Sequence, residues 1–293
     1  ILVDGIRSKL WKMKRFWTAC LFGLAASVVF AQQTWRRSIG GWGPDEAAAA
    51  KERPDGSIVV VGSTGSFGAP AGDVYVFVLS ATGELLWSRM WGTNAVDVGE
   101  DVEIVEGGFL VAGYSNGTGH GGYDGVLTRM DDQGNVLWSR SYGTEGWDMI
   151  REVSVGTNGL YLVGTTYGTT GGDADLWVVH TDLEGNEIWE RSFGTDFDDA
   201  GWGCATTADG GCVVVGEFGG TDGLTDGVLH RLDQEGDLLW QVDWPGAESE
   251  SAHDVIEAQG GGFIMAGITN SVYPFQQILL SKVTDEGEVQ WTN

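Results

Sequence analysis

Basic residues are few in this chain. Lys and Arg number 16 against 42 Asp and Glu, a formal charge of −26 over 293 residues. A chain so acidic repels phosphate backbones and anionic headgroups, which excludes nucleic acid as a partner. Proline is scarce at 5 residues, so the abundant glycine is not linker. Cysteine occurs 3 times with no Cys-x-x-Cys. His-Glu-x-x-His and Gly-x-Ser-x-Gly are also missing, and His120, His180, His230 and His253 share no ligand spacing. The usual signatures of zinc and serine-hydrolase chemistry are therefore absent. Apolar runs are short beyond Phe30, and no stretch keeps a helical period.

What is present is a beat. Trp87, Trp138, Trp189, Trp240 and Trp291 stand 51 residues apart, and Trp35 lies 52 before the first. A period this regular means a stack or ring of one small unit. Glycine supplies 48 residues and Trp 14, which gives tight turns between strands and large apolar surfaces to bury.

The unit reads as four strands. Asp97 to Val105 is the first, and Glu106-Gly107-Gly108 turns the chain. Phe109 to Tyr114 is the second and wholly apolar. Ser115 to Tyr123 is a glycine-rich loop; it spells Gly117-Thr-Gly119-His-Gly-Gly122, but a strand follows where a dinucleotide site needs a helix. Asp124 to Met130 is the third strand, Asp131 to Gly134 a turn, and Asn135 to Tyr142 the fourth. The expected fold is all-β: a β-propeller of four-stranded antiparallel blades, with five units of about 51 residues. The ring is expected to be closed or nearly so, or to be part of a larger one. Leu85, Trp87, Arg89 and Trp91 are expected to share one face of the outer strand and to meet the next blade. The segment from Thr34 to Gly40 spells a lone fourth strand and is expected to complete the last blade. Residues 1–12 read as upstream translated sequence. Residues 13–31 read as a signal peptide: Lys14 and Arg15, the apolar run Phe16 to Phe30, and Ala31 at the cleavage point. Residues 32–293 form the repeat domain. The expected location is the periplasm, cell surface or exterior, with no stable membrane span after signal removal.

The phrases Asp101 to Ser115 and Tyr123 to Trp138 resemble a bacterial repeat of secreted or surface proteins, notably of the Bacteroidetes. The resemblance covers essentially all of residues 35–293. It implies a propeller and says little about activity. The turn-plus-Trp element is also similar to the tryptophan-docking motif of quinoprotein propellers. Here Asp131–Gly134, Asp182–Gly185 and Asp233–Gly236 are one residue shorter, and the adjacent cysteines of those dehydrogenases are missing. The likeness thus implies blade packing without a quinone.

The candidate site residues are mostly carboxylates. Asp45, Asp97, Asp148, Asp199 and Glu250 precede the first strand and are expected to ring the axial opening. They would hold a cation, or cap their own loops. Asp196, Asp198 and Asp199 form the densest local cluster, with Ca²⁺ the ion that would suit it; no other cofactor is expected. Tyr273 and Phe275, in the most divergent unit, would contact a sugar or protein, or anchor their loop. Arg37, Arg89, Arg140 and Arg191 would stack on aromatics and pair with a neighbouring blade's carboxylate, or bind an anion. Cys204 and Cys212 fit either a cross-strand disulfide or two buried thiols. These readings together describe a binding or scaffold module at the cell envelope, recognising a protein or glycan through its loop face. A glycan-active enzyme and a structural repeat of a larger adhesin are the rivals.

Overall fold

The computed structural model describes residues 35–168, 173–272 and 275–293. Two compact units divide the chain, residues 1–36 and residues 37–293. All the described strands belong to the second, and no described helix is long and apolar enough to cross a membrane.

Five four-stranded sheets follow one another in sequence. The first holds β1 (Asp45–Glu52), β2 (Ile58–Thr64), β3 (Asp73–Leu79) and β4 (Leu85–Trp91). The second holds β5 (Asp97–Val105), β6 (Gly108–Ser115), β7 (Asp124–Asp131) and β8 (Val136–Tyr142). The third holds β9 (Asp148–Val155), β10 (Leu160–Thr166), β11 (Asp175–Thr181) and β12 (Glu187–Phe193). The fourth holds β13 (Ala200–Thr206), β14 (Cys212–Gly219), β15 (Thr225–Leu232) and β16 (Leu238–Trp244). The fifth holds β17 (Glu250–Glu257), β18 (Phe263–Thr269), β19 (Gln277–Val283) and β20 (Val289–Thr292). Each sheet is an antiparallel meander whose first strand packs beside the first strand of the next sheet. This is a β-propeller with five blades.

The second and third strands are runs of β-branched and large apolar residues because both of their faces are covered. Val59 and Val61 meet Val102 and Phe109 across the first seam. Leu110 and Leu127 meet Ile150 and Leu162 across the second. Tyr161 and Val178 meet Cys204 and Val214 across the third, and Val213 and Leu229 meet Val255 and Met265 across the fourth. Among the described residues, no comparable core joins the fifth sheet to the first.

The periodic tryptophans lie at these seams. Trp87 stacks on Phe109 of the next sheet, with ring centroids 6.1 Å apart. Trp189 and Trp240 donate their indole N–H to the carbonyls of Gln234 and Asp285 in the next sheet's turn, at 2.9 and 3.0 Å. The glycine that closes each turn lies directly beneath the indole. A Cβ on Gly134 or Gly185 would come within 2.8 Å of the Trp87 or Trp138 ring, and both glycines have positive φ, +77° and +76°.

Two expectations about the fourth strand are corrected. Leu85 does not share the Trp87 face; it is 50% exposed. Val78 pairs with Trp87 and Leu79 with Leu85, so Leu86 is an extra bulge residue that reverses the alternation. The same slip recurs in every blade. Nor do the described residues of the N-terminal segment complete the fifth sheet. Residues 35–44 carry no strand, the fifth sheet draws its fourth strand from Val289–Thr292, and Arg37 Nε donates to Gly83 O of the first sheet.

Replacing Gly185 by Val forces a side chain against Trp138 and into an unfavourable φ. The variant is expected to lose at least about 1–3 kcal/mol in urea unfolding. Leu127→Ala, at a fully buried seam position, is expected to lose about 2–5 kcal/mol.

Candidate functional site

Every inner strand carries a bulge at one repeat position. The extra residues are Ala48, Glu100, Arg151, Trp202 and His253. The scaffold geometry repeats, while the side chain differs in each blade. Three consecutive bulge residues touch. The Arg151 guanidinium lies 4.1 Å over the Trp202 ring, and Trp202 stacks on His253 at 5.1 Å and 15°. Such a cation–aromatic contact fixes the guanidinium plane. Arg151 Nε is buried without a hydrogen-bond partner.

The next residues along these strands line an axial cavity of about 510 Å³. Its acids are Glu100, Asp101, Glu103, Glu152, Asp254 and Glu257, and its bases are Lys51 and Arg151. Lys51 Nζ bonds Glu103 at 2.5 Å, and the Val153 N–H donates to Asp101 at 3.1 Å. Burial raises Glu152, with Asp101 and Asp254 adding repulsion, to about 9. Burial also raises Asp101 and Glu100. Glu152 is therefore a neutral carboxylic acid at neutral pH, in a cavity lined by other acids.

The loop-side carboxylates are separate from this cavity. Asp97 accepts from the Thr93 N–H at 2.6 Å, and Asp148 from that of Thr144 at 2.6 Å. Asp199 accepts from the N–H groups of Thr195 and Gly219. Asp45 accepts from Thr64 and Ser66, and Glu250 from Thr269 and Ser271. Hydrogen bonds from Ser66 first, then Thr64, hold Asp45 below the usual carboxylate range. Asp45 and Asp97 also line a second cavity, of about 490 Å³, between the first two blades.

Other expected features fall apart in space. Among the described residues no three His, Cys, Asp or Glu side chains gather as a metal ion would require. Asp196, Asp198 and Asp199 are not such a group: Asp199 turns inward onto its loop, and Asp198 accepts from the Ala174 N–H at 3.1 Å. Cys204 and Cys212 are free, buried thiols, because the register sets Cys204 opposite Val214 and Cys212 opposite Thr206. Burial pushes both thiols up, against ionisation and reactivity. Arg89, Arg140 and Arg191 lie over their own tryptophans at 5.4 to 5.6 Å. Their expected carboxylate partners are replaced by backbone: Arg191 donates to Glu235 O at 3.1 Å, and Arg37 to Gly83 O at 2.7 Å. Phe275 is 76% exposed. Tyr273 lies outside the described residues.

Reading the sequence for repeated residues missed the axial cavity, since its lining does not repeat. Aligning the units and asking which inner-strand positions vary would have found it: position 49 is Ala, and its equivalents are Asp101, Glu152, Gly203 and Asp254.

No protein-family model matches the chain, and no curated protein matches it. Solved structures do. The Neurospora crassa Pan2 WD40 domain matches with a TM-score of 0.55 at 10% identity, over 85% of this chain and 65% of that one. A protein of unknown function from Bacteroides caccae matches with a TM-score of 0.40 at 10% identity, over 62% of this chain and 57% of that one. An endo-arabinase from Bacteroides thetaiotaomicron matches with a TM-score of 0.44 at 10% identity, over 86% and 100%. The chain thus spans less than two thirds of the first two. At these identities the likeness concerns the fold alone, and of these three the Pan2 match carries it.

Two buried groups set opposite pH slopes. Glu152 is raised to about 9, so the folded state holds an extra proton from about pH 4.5 upward. Its stability contribution is full below that range and is lost as pH rises through 9. His230, lowered to about 4 by burial, acts the other way: its contribution is full above about pH 6.5 and is lost as pH falls toward 4. Glu152→Gln should therefore gain stability over wild type between pH 5 and 9, by on the order of a few kcal/mol. Urea unfolding across that range checks it, and parallel curves would contradict it.

Proposed function

We propose that this protein is an exported binding module whose axial cavity takes a basic group of a protein partner at the cell envelope. One observation carries the reading. Five inner strands place the same bulge at the same height, yet they present different side chains there and just beyond. A position that served only the scaffold would repeat, as the tryptophans and turn glycines do. The charge balance supports the ligand class: six acids face two bases in one cavity. Glu152 keeps its proton because burial and its acidic neighbours oppose ionisation. An ammonium or guanidinium entering the cavity would supply the missing positive charge, and the proton would leave. The export reading rests on the apolar run Phe16 to Phe30 and Ala31. The resemblance to secreted bacterial repeats agrees with it.

The test is calorimetric titration with tetralysine and with 1,5-diaminopentane, in two buffers of different ionisation enthalpy at pH 7.5. Binding is expected to release about one proton, from a group tuned as Glu152 is. Glu152→Gln should abolish the release, and Asp254→Asn should weaken affinity by about tenfold, the scale of one cavity charge pair. Absence of heat with both probes would refute the basic-ligand reading.

A second reading rests on the same Glu152. A carboxylic acid still protonated at neutral pH is equipped for general-acid work beside ionised neighbours. Hydrolysis of aryl glycosides that is lost in Glu152→Gln would favour a glycan-active enzyme.

A further inference from the structure

The fifth sheet has one face that its four predecessors keep covered. Val76, Leu127, Val178 and Leu229 occupy one repeat position and are each 0% exposed, whereas Leu280 at that position is 37% exposed. Two residues earlier, Leu176 is 0% exposed and Ile278 is 74%. Ile256 on the inner strand is 55% exposed, and Trp291, the seam tryptophan, is 40%. This is the full apolar half of a seam, with its docking tryptophan and no opposite half among the described residues.

We infer that this face docks one further four-stranded sheet of the same repeat type. Four seams in this molecule state the chemistry of the occupant. It must bring apolar second- and third-strand residues, and a tight turn closed by a glycine of positive φ. Trp87, Trp138, Trp189 and Trp240 each cover such a glycine, and a Cβ there would approach the indole to between 2.8 and 3.0 Å. It must also bring a turn carbonyl for the indole N–H, as Gln234 and Asp285 do for Trp189 and Trp240.

A second copy of this chain does not meet these terms. The matching face of its first sheet is already taken: Val60 and Tyr75 are 8% exposed, Leu79 is 4%, and Gly83 O accepts from Arg37. Two fifth sheets facing each other would oppose tryptophan to tryptophan, with no glycine turn for either. The occupant is therefore a sheet with an open reciprocal face. Ile256 also lines the axial cavity, but Ile278, Leu280 and Trp291, which carry the inference, do not, and the open face does not depend on the cavity's ligand.

Hydrogen exchange measured by mass spectrometry tests the inference on the chain as it stands, and on the chain extended beyond Asn293 by a copy of residues 90–142. That extension keeps the 51-residue spacing, because Trp291 corresponds to Trp87. Amides of residues 277–292 are expected to exchange at least tenfold more slowly in the extended chain. A Gly134→Val change within the appended copy should return residues 289–292 to their original rate. Unchanged exchange in the extended chain would overturn the inference. So would a concentration-dependent dimer of the unextended chain that Ile278→Asp converts to monomer, since the occupant would then be a second copy.

Discussion

The structure depends on covering the apolar faces of thin sheets. A single four-stranded sheet of Val, Leu and Ile cannot hide both sides from water by itself. Stacking like on like around an axis solves this for every interior face at once. The indole over the turn glycine sets the angle and height at which each sheet meets the next. One Trp buries a large area, and its N–H reads a backbone carbonyl that any turn of the right shape supplies. The seam thus depends on backbone geometry at its outer end and on side-chain volume at its centre. That division lets core residues drift from unit to unit while Trp and Gly stay fixed.

The axis follows different rules. Inner strands lie side by side there, because the sheets converge on the axis and fan outward from it. Each strand bulges by one residue, and the freed side chains meet at the centre. Arg151, Trp202 and His253 fill part of this space by stacking. The remainder is a cavity in which acids outnumber bases and Glu152 retains its proton. The loop-side carboxylates show the contrast: Asp97, Asp148 and Asp199 spend their oxygens on their own loops. Carboxylates alike in sequence thus do different work, according to whether backbone N–H groups or other carboxylates surround them.

Much of the architecture was legible because repetition multiplies the signal. Asp97 to Val105 and Asp124 to the turn at Gly134 read as strand, strand and turn, and the other units supported each boundary. What a linear reading left wrong or open has identifiable causes. Leu85 was misplaced because a bulge at Leu86 breaks the alternation, and a bulge leaves no mark in residue type. The Cys204–Cys212 alternative stayed open because only the strand register, which pairs Cys204 with Val214 and Cys212 with Thr206, tells facing cysteines from diagonal ones. The arginine series met backbone carbonyls where carboxylates were expected: Arg37 reaches Gly83 O and Arg191 reaches Glu235 O, both in turns.

By itself the sequence determined the repeat, its four strands, its docking tryptophans and its acidic surface, because spacing and hydrophobic pattern are local properties that a linear reading contains. Only the tertiary structure decided which carboxylates share a cavity, which seam lacks a second half, and which cysteines stay apart. Those facts depend on residues some 51 positions apart meeting at the axis, with the register between strands choosing which of them meet.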